Sequence, residues 1–216
     1  MDIIVEGNGQ KDFKPNQVVL SFTFETKDSC YEKALEKGVF NVNEYCKVLY
    51  DLGFKKGELK TRSFRVSENR RYDNDKKIYV NEGFIYTQNA TLKFDYDMDK
   101  LSELMEVTSK FKSAPRYTIN FNVKENKKVQ EDVLALAYKD AKFQAEAIAK
   151  ASGNELKECL EISFEPFDTK TYSPTRCEGE MMSKCSIGSI RENITNTFVP
   201  EDITLSATIH CHFITK

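Results

Sequence analysis

The sequence predicts an α+β fold: a mostly antiparallel sheet with a split βαβ, ferredoxin-like portion, plus a long C-terminal helix and two further strands. Three observations predict it. Runs such as Val18, Leu20, Phe22, Phe24 and Tyr117, Ile119, Phe121, Val123 alternate with polar residues, and a period of two marks a half-buried strand. Apolar stripes at helical spacing stand between such runs. From residue 17 to 123 the order reads strand, helix, strand, strand, helix, strand.

Taken in chain order, Ile3–Val5 form a short first strand, and Gly7-Asn8-Gly9 reads as the turn that ends it. The strand around 18–24 follows Pro15. Ser29-x-x-Glu32 has the form of a capping box and opens a helix over about 30–52, with Ala34, Leu35, Val39, Val42, Cys46, Leu49 and Leu52 in its stripe and Gly53 as its stop. Leu59–Val66 and Ile78–Phe94 are strands joined near Asp73-Asn74-Asp75, with Gly83 marking a bulge. Asp97 caps a helix carrying Leu101, Leu104, Met105 and Phe111, which Ala114-Pro115 ends. After the strand at 117–123 comes a helix over about 126–151, closed by Gly153, in which Ala137, Ala141, Ala145 and Ala149 recur every fourth residue. Small side chains at that spacing let a helix lie close to its support, whether sheet or neighbouring chain. Leu160, Ile162 and Phe164 make the next strand, and Ile203–Phe213 the last. The stretch 168–200 is polar and shows no sustained period, so it is expected to be a mobile loop. No linker divides the chain, which is expected to be a single domain over 1–216.

Composition narrows the function. With 32 Lys+Arg against 34 Asp+Glu, the 216-residue chain has a net charge of −2. No basic surplus drives it onto nucleic acid, so no nucleic-acid partner is expected. No apolar run approaches the ~20 residues of a membrane-spanning helix. The start, Met1-Asp2-Ile3-Ile4-Val5-Glu6, is acidic and unlike a secretory signal, which points to the cytoplasm and to reduced thiols for Cys30, Cys46, Cys159, Cys177, Cys185 and Cys211.

The chemistry-bearing residues are few. Gly7-x-Gly9 lacks the third glycine and the following helix of a dinucleotide loop. His210 and His212 share one face of the last strand, with Cys177 and Cys185 in the preceding loop as the candidate set for a metal- or thiol-dependent enzyme. Cys211 falls on the opposite face, with Leu205, Ile209 and Phe213, and reads as core. The cysteine and histidine spacing matches no familiar zinc pattern, so no metal, cofactor or catalytic residue is assigned. Gly83-Phe84-x-Tyr86 has the look of an RNA-recognition strand. However, Glu82 stands where a basic residue belongs, and both rings are in phase with Leu92 and Phe94, so they read as core. Arg70-Arg71 and Lys76-Lys77 flank Asp73 and Asp75 in a self-neutralised hairpin tip. Glu131-Asp132 read as helix-dipole partners at the start of the long helix.

Taken together, Val5-x-Gly7-x-Gly9 before Pro15, Gly53 with Thr61-x-x-Phe64, Gly83-Phe84, Ile119-x-Phe121, the alanine ladder ending at Gly153, and Pro200-x-x-Ile203 resemble the SIMPL-domain family over about residues 3–214. Asn16 and Glu201 depart from its pattern, and the 168–200 loop matches it poorly. The resemblance implies a bacterial α+β domain of unknown function, related to periplasmic and outer-membrane immunogen proteins, many of them exported. It also implies a tendency to form large homo-oligomers, and it supplies no catalytic residues. The expectation is therefore a non-enzymatic assembly or binding protein that self-associates. The alternatives are the metal or thiol enzyme above and an RNA-binding module using Phe84 and Tyr86.

Overall fold

The computed structural model describes residues 1–124, 127–164 and 199–216. Its elements run β1 (Asp2–Phe13), β2 (Gln17–Asp28), α1 (Tyr31–Asp51), β3 (Lys60–Asp73), β4 (Ile78–Asp95), α2 (Met98–Lys110), β5 (Arg116–Asn122), α3 (Lys127–Ala151), β6 (Leu156–Phe164) and β7 (Ile203–Thr215). The α+β class holds, and the chain forms two compact units. Among the described residues, one unit contains Gln17–Phe121, and the other contains Met1–Asn16, Asn122 onward through α3 and β6, and Glu201–Lys216. All but Val199 and Pro200 of the expected loop at 168–200 lies outside the described residues.

The Gln17–Phe121 unit is the split βαβ portion, a four-stranded sheet in the order β3-β4-β2-β5 with α1 and α2. The alternation in β2 drives Val18, Leu20, Phe22 and Phe24 into one core with Val42, Tyr45 and Leu49 of α1 and Leu101 and Leu104 of α2. Tyr45 lies at its centre, edge-on to Phe22, Phe24 and Phe111 with ring centroids 5.3–5.5 Å apart. Its hydroxyl is 2.7 Å from the Thr108 hydroxyl. Thr108 gives its own proton to the Leu104 carbonyl at 2.6 Å, so Tyr45 is the donor.

Helix α2 begins as expected, with the Asp97 carboxylate accepting from the Lys100 amide at 3.0 Å. Helix α1 does not use the capping box. Its N-cap is Cys30, whose amide donates to Asp28 Oδ1 at 3.1 Å, and Ser29 caps nothing. The Asp28 carboxylate carries charge and is the stronger acceptor, and the Ser29 hydroxyl itself donates to it at 3.4 Å. Both glycine stops hold: Gly53 and Phe54 donate to Tyr50 and Leu49, and Gly153 and Asn154 to Lys150 and Ala149, the paired bonds of a Schellman ending.

In the other unit, β1-β7-β6 form an antiparallel sheet covered on one face by α3. The turn expected at Gly7-Asn8-Gly9 is absent, because β1 runs unbroken to Phe13 with Gly7 opposite Ile209 and Gly9 opposite Ala207. These glycines serve approach, not turning. A Cβ on Gly7 would meet the Ala141 Cβ at 2.6 Å and collide with the Ala137 carbonyl. Glycine on the strand and alanine on the helix thus bring two backbones together. The alanine ladder packs on this sheet, with Ala137, Ala141, Ala145 and Ala149 buried against Ile3, Val5, Ile209, Cys211 and Phe213. Glu131 and Asp132 lie past the first turn of α3, which holds no acidic residue. Asp132 instead meets Lys11 of β1 at 2.7 Å.

Candidate functional site

The outer strands β1 and β3 differ in how their edges are closed. The outer edge of β1 is clipped by α3: Asp140 accepts from the Asn8 amide at 2.8 Å, and Gln144 donates to the Glu6 carbonyl at 2.9 Å. Such side chains occupy the backbone groups that an edge strand otherwise offers to another chain. Among the described residues, no side chain does the same for β3, the outer strand of the four-stranded sheet. Phe64 stands on the same face as Tyr86, with ring centroids 6.5 Å apart, yet is 64% exposed because α1 does not extend over it.

Beyond this point β3 and β4 leave the sheet. The last residue of β2, Asp28, pairs with Phe84. The register between β3 and β4 slips opposite Gly83, which has φ +104 and no room for a Cβ beside Ser29, so the bulge expected at this glycine is real. Past it, Arg70–Asp73 pair with Ile78–Asn81 as a two-stranded arm. Asp73 accepts from the amides of Asp75 and Lys76 and closes the tip. Arg71 meets Glu82 at 2.5 Å and Arg70 pairs with Glu68, so the arm's charge is largely neutralised internally. The arm also presents large apolar groups: Tyr72 and Tyr79 lie directly opposite one another with rings 5.1 Å apart, 46% and 70% exposed, and Ile78, on the ribbon's other face, is 52% exposed. A two-stranded ribbon is marginal in water on its own, and large exposed apolar groups on one mark a contact surface. Sequence reasoning placed a hairpin tip between Arg70-Arg71 and Lys76-Lys77 but ended β3 at Val66, and so did not carry the strand through Tyr72. The signal it could have used is Tyr72 and Tyr79 placed symmetrically about a turn at residues 74–77.

The other candidates are placed as follows. His210 and His212 lie on the face of β7 away from α3, with His210 opposite Glu6 and His212 opposite Ile4. His212 Nε2 is 3.5 Å from Asp2 Oδ1. Cys177 and Cys185 lie outside the described residues. Among the described residues, no group of three or more His, Cys, Asp or Glu is arranged to hold a metal ion. Cys211 is buried on the α3 side, so the strand itself separates its thiol from both imidazoles. Burial, followed by the neighbouring Cys159, pushes the Cys211 thiol up to about 11, far from a thiolate nucleophile at neutral pH. Tyr86 is 1% exposed, with its ring lying where a side chain on Gly38 of α1 would stand, and Phe84 packs edge-on to Tyr31 at 5.7 Å. The Tyr86 ring is therefore not presented for stacking on a base.

The model of one family, described as SIMPL, a protein of unknown function (DUF541), matches residues 3–213. The chain belongs to the SIMPL family. The match spans both units and includes the glycines of β1, the β3–β4 arm and the alanine face of α3. No curated protein matches the chain. No helix among the described residues of this SIMPL protein is long and apolar enough to cross a membrane.

Proposed function

We propose that this chain is a non-enzymatic assembly protein that binds further copies of itself through the outer edge of β3 and the β3–β4 arm. One observation carries the reading: among the described residues, an unclipped edge strand bearing an uncovered phenylalanine runs on into an arm whose large exposed apolar groups are Tyr72, Ile78 and Tyr79. Natural sheets protect such edges unless they are used. The opposite treatment of β1, closed by Asp140 and Gln144, makes the contrast internal to one chain. The arm's paired charges suit contact with a like surface, since Arg70 and Arg71 bring their own counterions. Light scattering on the eluting full chain tests the proposal. The expected result is a mass of several chains at micromolar concentration, falling towards one chain in Tyr72→Ser/Tyr79→Ser with the circular dichroism spectrum retained. Unchanged assembly in that variant would move the interface elsewhere.

A further inference from the structure

The same face of β6 and β7 carries two cysteines. Cys159 pairs with Phe213 and Ile162 with Cys211, so Cys159 stands one diagonal step from Cys211 on the side facing α3. Both sulfurs belong to the cluster around the alanine face, Cys211 fully buried and Cys159 partly exposed. Diagonal neighbours on one face of an antiparallel pair bring their side chains towards each other. Cys159 Sγ also donates to the Glu161 carbonyl at 3.4 Å, which holds it at this position. Between Cys159 and Ile162, β6 takes three steps while β7 takes two. The extra residue makes the strand locally irregular there, and β6 is an edge strand, held on one side only.

We propose that Cys159 and Cys211 are a dithiol that closes reversibly into a disulfide, locking the edge strand β6 to β7 when a small-molecule disulfide is present. Cys159, the accessible member, attacks as thiolate on one sulfur of an oxidised glutathione-type disulfide. It forms a mixed disulfide and expels one glutathione thiolate. Cys211 then gives up its proton and attacks the Cys159 sulfur, and the second glutathione leaves as thiolate. Two protein thiols are oxidised and one external disulfide is reduced to two thiols. The second step is the slow one, because burial holds the Cys211 proton. Reaching an S–S bond of about 2 Å from diagonal positions requires β6 to move towards Cys211, and the irregularity at Leu160 gives the edge strand that slack.

The test uses the full chain, incubated with oxidised glutathione under native conditions, digested without reduction and mapped by mass spectrometry. The expected product is a Cys159–Cys211 linked peptide lacking two hydrogens, reversed by dithiothreitol. Cys211→Ser should stop the reaction at a glutathione adduct on Cys159, and Cys159→Ser should leave Cys211 unmodified. A stable adduct on Cys159 in the unsubstituted chain, with no internal bond, would overturn the proposal. So would linkage of either cysteine only to another chain. Because the unsubstituted chain is itself informative, the result does not depend on either variant folding.

Discussion

At the level of single residues, two positions show physical chemistry deciding the fold. Gly7 has no room for even a methyl group, because the carbonyl of Ala137 and the backbone of Ala141 already fill the space. Gly7→Ala forces β1 and α3 apart and should cost about 1–3 kcal/mol, read as a lower urea midpoint. Tyr45 is the other. Burial raises its hydroxyl well above the ordinary tyrosine value near 10. Below about pH 10 the folded and unfolded chains both keep this proton. Above it the unfolded chain releases the proton and the folded chain cannot, so stability falls as pH rises. Tyr45→Phe should lose about 1 kcal/mol at neutral pH with the bond to Thr108 and should flatten the decline above pH 10. Thermal unfolding across pH 8–11 checks both. An unchanged alkaline slope would mean that another group carries it.

At the scale of elements, most of the architecture was legible because it rests on period. The alternation in β2, β5 and β7 and the stripe of α2 sort directly into faces, whereas the α1 stripe sorts only in part: Val39 is exposed, and Gly38 and Tyr45 take the buried face. What failed were inferences from local residue type. Gly7-Asn8-Gly9 has the composition of a turn, but the demand came from α3, 124 or more residues later in the chain, which no local window contains. The polar run 67–71 looks like loop and is strand, because ladder bonds to β4 and its own ion pairs satisfy it without burial. The clip on β1 was invisible for the same reason: Asp140 and Gln144 lie on α3, remote in sequence from Asn8 and Glu6. Asp140→Ala should speed hydrogen exchange at the Asn8 amide while changing global stability by less than about 1 kcal/mol. Protection unchanged at Asn8 would show that Asp140 does not close that edge.

At the scale of the whole molecule, the family match covers residues 3–213, and each unit has a core of its own. The candidate site was only half legible. Cys211 sorted correctly to the core face and the two histidines to the opposite one, since alternation decides that from the sequence. The uncovered Phe64 and the aromatic arm were not legible, because exposure at an edge depends on how far α1 extends across the sheet. They are among the large apolar groups exposed on the described residues, and they are the ones the proposed assembly would cover. Native mass spectrometry of the full chain across a concentration series measures this most directly. Our reading predicts discrete multiples of the 24.9 kDa chain that lose population when Tyr72 and Tyr79 are replaced by serine. A single-chain mass persisting to high micromolar concentration would contradict it.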